Sequence, residues 1–160
     1  MTIDRGLLEA ARLGDMKGVE SALHEGASPD ALNENGQAAL AIAAMFGHVE
    51  VVSRLIEGGA NPSAADAAGI TVLMTAAEFP RPEVVNVLLA SGADVNAVAS
   101  DGRTALLNAI WSADSDTKVI KALIEAGADV DVVDPRYGLT PREWAVKAGK
   151  HSVSRLLNDR

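Results

Sequence analysis

Small-residue markers recur along this chain at one interval. Gly-Ala pairs stand at Gly26-Ala27, Gly59-Ala60, Gly92-Ala93 and Gly127-Ala128, separated by 33, 33 and 35 residues. Ala10-Ala11, Ala43-Ala44 and Ala76-Ala77 repeat at 33, with Ala109-Ile110 continuing the series, and Gly36, Gly69 and Gly102 form a third row at that spacing. Such self-similarity means stacked units, each too small to bury its own apolar face and each dependent on its neighbours. Hydrophobic residues make up 48% of the chain but aromatics only 3%. Alanine, valine and leucine must therefore do the packing, which suits closely spaced helices.

Each unit reads alike. A Gly-containing turn such as "DAAG" (66–69) or "ASDG" (99–102) precedes a short helix, and a second helix follows. Its apolar residues fall at helical spacing, as in Val51, Val52, Leu55 and Ile56, then Val84, Val85, Leu88 and Leu89. Thr71, Thr104 and Thr140 sit where a helix N-cap hydroxyl belongs. "TPRE" (140–143) adds Pro at the first helical position and a glutamate able to reach back to the cap.

The stretches "GQAALAIAAMFGHVEVVSRLIEGGANPSA", "GITVLMTAAEFPRPEVVNVLLASGADVNA" and "GRTALLNAI" with "VIKALIEAGADVDVV" resemble ankyrin repeats. The resemblance implies an all-α solenoid of helix-turn-helix units with β-turn fingers, whose concave side is formed by fingers and first helices. One domain over 1–160 is expected: an N-terminal cap at 4–32, internal repeats at 33–65, 66–98 and 99–133, and a C-terminal cap at 134–160. The family's Thr-Pro-Leu-His tetrapeptide appears only as "AALA" (38–41), "TVLM" (71–74), "TALL" (104–107) and "TPRE". The histidine and its inter-repeat hydrogen bonds are thus expected to be missing, and Ala38 lacks the cap. In the third unit "FPRPEVV" replaces the Gly-His turn, and Pro80 should stop the first helix at Phe79. In the fourth, "WSADSDTK" adds two residues and three potential caps, Asp114, Ser115 and Asp116.

Groups able to do chemistry do not converge. His24, His48 and His151 fall in different units, and no metalloprotease helix, nucleophile elbow or phosphate-cradling loop is present. The carboxylates of "DSD" (114–116) and "DVDVVD" (129–134) read as caps or solvated loops, because a calcium loop needs more oxygen ligands and a glycine turn. With no cysteine there is no thiolate site. No catalytic residue, metal or cofactor is expected. Asn96 resembles the asparagine that is hydroxylated in some members of the family, but a hydrogen bond to the turn is the preferred reading.

The two residues after each small pair end the first helix. They are Arg12-Leu13, Met45-Phe46, Glu78-Phe79, Trp111-Ser112 and Lys147-Ala148. Three of five aromatic residues lie on this track, Tyr137 lies in the last finger beside it, and Trp144 is placed elsewhere. Aromatic and Met side chains concentrate in interface hot spots. A partner-binding surface is therefore expected from Met45, Phe46, Glu78, Phe79, Trp111, Ile70, Asp101, Arg103 and Tyr137.

Residues 1–134 carry 20 acidic and 8 basic side chains, a balance of −12, whereas residues 135–160 carry 2 and 6, a balance of +4. An acidic body repels phosphate backbones, so no nucleic acid is expected, and a protein partner with a basic surface fits better. No apolar run is long enough to span a membrane, and charged residues stand where a signal peptide needs an apolar core. The leading expectation is a cytoplasmic, monomeric protein-binding module acting as inhibitor, immunity or accessory protein. Two alternatives are a small-molecule or anion site on Arg136, Arg142, Lys147, Lys150 and Arg155, and a purely structural scaffold.

Overall fold

The structure is a computed structural model and describes residues 2–112 and 117–158. Among them, ten helices follow in order: α1 (Thr2–Leu13), α2 (Met16–His24), α3 (Ala39–Phe46), α4 (Val49–Glu57), α5 (Val72–Glu78), α6 (Pro82–Ala90), α7 (Ala105–Trp111), α8 (Thr117–Glu125), α9 (Pro141–Lys147) and α10 (His151–Asn158). Odd-numbered helices pack on one another in sequence, as do even-numbered ones, giving two stacked layers. No strand or sheet forms among the described residues. The fingers close through single bridges at Leu32–Ala38, Ala65–Thr71 and Asp134–Leu139. The fold is an all-α repeat solenoid. Asp114, Ser115 and Asp116 lie outside the described residues.

The 33-residue markers become rows through the core. Leu7, Leu40, Leu73 and Leu106 are at most 1% exposed, and Val19, Val52, Val85 and Ile120 are fully covered. The paired alanines between them bring adjacent odd helices close, since Ala11, Ala44 and Ala77 show no exposed surface at all. Each such leucine contributes roughly 1.5–3 kcal/mol by leaving water, and the helices that bear them pack both on the second helix of their own unit and on the first helices of adjoining units.

Local chemistry sets the helix ends. Thr71 Oγ1 accepts from the Met74 amide at 3.1 Å, and Thr104 Oγ1 from that of Leu107 at 3.3 Å. At Thr140 the box is reciprocal, because the Glu143 carboxylate accepts the Thr140 amide at 2.8 Å. Ala38 has cap geometry (φ −70°, ψ 150°) but no side-chain acceptor. Helix α5 ends at Glu78, one residue before the expected stop. Phe79 has already left the helix (φ −103°, ψ 87°), as the ring of Pro80 demands of its predecessor.

Two polar systems fasten unit to unit. At the Gly-Ala end, a side chain of one unit accepts a backbone amide of the next: Asn61 N to Asp30 Oδ1 at 2.9 Å, Asp94 N to Ser63 Oγ at 3.0 Å, and Asp129 N to Asn96 Oδ1 at 2.8 Å. Asn96 Nδ2 also donates to the Gly127 carbonyl at 3.0 Å, so both ends of this amide hold the following unit's turn, not its own.

At the other end, donors from three of the turns cap a preceding odd helix. His48 Nε2 lies 3.1 Å from the Arg12 carbonyl, and Arg81 Nε donates to the Met45 carbonyl at 3.3 Å. Lys150 Nζ donates to the carbonyls of Ile110 at 2.5 Å and Ser112 at 2.8 Å. Positive or donor groups suit these positions because C-terminal carbonyls carry partial negative charge. The close approach also explains two glycines. Gly14 and Gly47 have φ of 72° and 77°, and a Cβ there would stand 2.7 Å from the His48 ring or 2.9 Å from the Arg81 side chain.

A threonine in place of Ala38 should supply the absent cap. Ala38→Thr is expected to raise stability by about 0.5–1 kcal/mol, and a urea melt showing no gain would contradict the cap assignment. Lys150→Met keeps the aliphatic stem but removes the two hydrogen bonds that Lys150 gives to these carbonyls. It should cost about 1–3 kcal/mol, again read by urea denaturation.

Candidate functional site

The exposed apolar residues are not scattered. Leu13, Phe46 and Phe79 occupy one repeat position at the ends of α1, α3 and α5 and are 59%, 48% and 43% exposed. Each follows a buried pair of small residues, so the helix ends where its apolar face turns from the core to solvent. Phe46 stacks on His48 with centroids 6.0 Å apart, which ties its ring to the turn. A second row runs along the finger bases: Leu32, Val98 and Val133 are 59%, 59% and 54% exposed. Sequence reasoning passed over that row, and it placed Leu13 on the first track without counting it among the site residues, although the same 33-residue count identifies both.

Four of the nine expected site residues meet in one cleft. Glu78, Phe79, Arg103 and Trp111 line a space of about 430 Å³ with Pro80, Asn108 and Ser112. Trp111 is also a wall of a neighbouring space of about 310 Å³, lined by Ile110, Arg136, Tyr137, Trp144, Ala148 and Lys150. The two spaces share Trp111 and run from α5 to the last finger.

Trp144 corrects the sequence reading, which set it apart. Its ring meets Trp111 edge-on at 5.9 Å and Tyr137 at 5.1 Å. Asp134 holds it there, accepting from Trp144 Nε1 at 3.3 Å and from the Arg136 amide at 2.8 Å. Asp134 is 1% exposed, so it is a buried anchor for the last finger and not a solvated loop carboxylate.

Charges along these clefts alternate. Arg103 Nε donates to Asp101 Oδ2 at 2.8 Å, and its Nη1 stands 4.0 Å from Glu78. Arg136 reaches the same Asp101 oxygen at 3.4 Å. Partial burial pushes the Asp101 carboxyl up, but the Arg103 amide and the Arg103 and Arg136 guanidinium groups outweigh it and hold the carboxyl below its usual value.

Beneath this network lies Asn108, 2% exposed, on α7. Its Nδ2 donates to the Met74 carbonyl at 3.2 Å. This inter-repeat bond was not expected, and it comes from the residue one place after the absent histidine. Asn108 Oδ1 and Trp111 Nε1 are buried without a hydrogen-bond partner.

Three expected residues stand apart from the clefts. Met45 is half-buried, with its carbonyl taken by Arg81. Phe46 is at the turn, and Ile70 packs against the core from the second finger. Of the basic residues of the last unit, Arg136 and Lys150 line one space, but each has a protein partner there. Arg136 pairs with Asp101, Lys147 lies 5.8 Å from the Trp144 ring centroid, Lys150 caps α7, and Arg155 faces Lys118 and Lys121 on the even-numbered layer. Burial lowers the Lys150 pKa from its ordinary value. Among the described residues, no group of three or more His, Asp or Glu side chains could hold a metal ion, and no helix is long and apolar enough to cross a membrane.

Comparison with known families gives two matches. A family model described as ankyrin repeats in three copies matches residues 7–99, and a single ankyrin-repeat model matches residues 101–135.

The Asp101 network makes a pH-dependent contribution with a definite sign. Its folded pKa lies below the usual 3.8, so the stabilisation is complete above that value and is lost as pH falls through the lowered one. Asp101→Asn should therefore melt below the unmodified chain at pH 7, and the gap should close in strongly acidic buffer. A gap of constant size in thermal melts would refute this assignment.

Proposed function

The chain belongs to the ankyrin-repeat family, and from that premise we propose that it is a non-catalytic module that binds a folded protein partner along its odd-numbered helices and fingers. Repeats of this kind are generally protein-protein interaction modules. Met45, Phe46, Phe79 and Trp111 are the proposed anchors, with Ile70 and Tyr137 extending the apolar surface and Glu78, Asp101 and Arg103 setting orientation. The observation that carries the reading is the row of large apolar side chains at one repeat position, of which Phe46 and Phe79 are 48% and 43% exposed. Side chains so placed add little to the core, and contiguous exposed apolar surface marks an interaction site. Aromatic anchors beside alternating charge match the apolar centre and polar rim of protein interfaces.

The acidic body favours a partner with a basic face, which would speed encounter at low salt. Inhibitor, immunity factor and accessory protein are the roles open to a small module without chemistry of its own. The anion-binding alternative is less well supported, because Arg136 and Lys150, which line one space, are paired with Asp101 and with backbone carbonyls.

The test is Phe46→Ala combined with Trp111→Ala, comparing partners captured from a lysate of the source organism. Each anchor should be worth about 2 kcal/mol or more, so the double variant should lose its partner while its circular dichroism is unchanged. Partners held at unchanged affinity by a folded double variant would end the proposal.

A further inference from the structure

We propose that copies of this chain associate head to tail, the outer face of the last unit of one copy docking on the outer face of the first unit of the next. The contact uses the two ends of the stack, apart from the groove of odd-numbered helix ends, and it continues the interface that already joins unit to unit. Repeat register identifies the face on the last unit. Leu7, Ala11 and Val19 in the first unit are fully covered, and their counterparts through the fourth unit are at most 1% exposed. In the last unit, with no unit after it in the structure, the counterparts are Arg142, Val146 and Ser154. Val146 is 63% exposed, and Arg142 and Ser154 are half-buried. What these positions lack is the neighbour that covers them elsewhere. A terminal unit stays soluble by a polar outer face. Arg142 and Ser154 conform to that rule, and Val146 does not.

The first unit has the opposite face open. A hollow of about 550 Å³ lies along α1 and α2, with Gly6, Glu9, Gly18 and Ala22 in its lining. Thirty-three residues on, those positions hold Ala39, Ile42, Val51 and Leu55, which are at most 8% exposed in helices that pack on α1 and α2. The first unit thus turns to solvent the side that the second unit buries. Gly6 stands inside α1, where glycine costs about 1 kcal/mol relative to alanine. Nothing within the chain calls for it, since a Cβ there would meet no atom within 4 Å. Close approach of a neighbour from outside is what its missing side chain permits.

Size and charge together select a second copy as the occupant. On the last unit, Arg142 replaces the leucine of the other four units, and Val146 replaces the alanine of the first three. On the first unit, Gly18 and Ala22 stand where the next has valine and leucine, so one face is enlarged and the other hollowed. The charged residues lining the hollow are Glu9, Asp15 and Glu25, of which Glu9 also pairs with Arg12 at 2.6 Å. Residues 1–32 carry 6 acidic and 3 basic side chains, a balance of −3, against +4 for residues 135–160. Pairing two first units would set acid on acid, and pairing two last units would set base on base. Only the head-to-tail contact joins opposite charges while covering Val146. Such a heterologous contact does not close on two copies, so it extends into an open array.

Sedimentation velocity on the isolated full chain in low salt provides the test. The sedimentation coefficient should rise with concentration past that of a dimer, and added salt should reverse the rise by screening the charges. Gly6→Arg puts a cation in the hollow, and Val146→Asp puts an anion on the opposite face. Both positions are exposed, so both variants should keep the circular dichroism of the unmodified chain. Each alone should weaken self-association about tenfold or more. Mixed together, each variant still offers the face that the other has lost. The mixture should therefore form one-to-one pairs that grow no further. A chain that stays monomeric at submillimolar concentration in low salt overturns the proposal and leaves the hollow to a different protein. Self-association that both folded variants retain, or a mixture that does not pair, overturns it equally. No other protein is needed, so this experiment and the partner-capture experiment can fail independently.

Discussion

Everything in this molecule depends on apolar burial that continues from one unit to the next. A pair of helices of seven to twelve residues covers too little surface to stand alone. The rows through Leu7, Leu40, Leu73 and Leu106 and through Val19, Val52, Val85 and Ile120 are at most 1% exposed in an array whose units pack on one another. Alanines at the helix crossings set the spacing. They are small enough for the odd-numbered helices to approach closely, which draws the helix ends and fingers into a continuous surface.

Burial is non-directional, so something else must prevent the units from sliding. The polar systems at the two ends of the stack have that role. The ladder through Asp30, Ser63 and Asn96 fixes one end, and the donors His48, Arg81 and Lys150 fix the other. These donors differ in chemistry but not in task. Each meets carbonyls that a helix C-terminus leaves open. With the backbone so held, the residues just before each turn are free to carry surface chemistry without endangering the fold. Leu13, Phe46 and Phe79 are of this kind, and the alternating charges of Glu78, Arg103, Asp101 and Arg136 lie beside them.

Legibility in the sequence followed periodicity. Residues that recur every 33 positions could be placed, including the N-cap threonines and the track through Phe46 and Phe79. Residues without a counterpart could not. Trp144 appeared isolated because no other unit has an aromatic residue at its position, yet folding brings it 5.9 Å from Trp111. Asp134 looked like one of several loop carboxylates until its neighbours buried it. Arg81 was hidden by the irregular "FPRP" stretch, although it fills the place of His48. Asn108 could not be distinguished from a solvated asparagine, because burial and an unmet oxygen are properties of its surroundings.

By itself, the sequence determined the architecture: a 33-residue interval in small and apolar residues admits stacked helix pairs and little else. It also determined which positions end each first helix, since periodicity is a one-dimensional property that survives without contacts. Only the tertiary structure decided which of those side chains meet. The cleft of Glu78, Phe79, Arg103, Asn108 and Trp111 joins residues up to 33 positions apart. The aromatic group of Trp111, Tyr137 and Trp144 likewise joins the fourth unit to the last. Distances of that kind depend on how side chains turn at a crossing between units, and no pattern along a single chain specifies that.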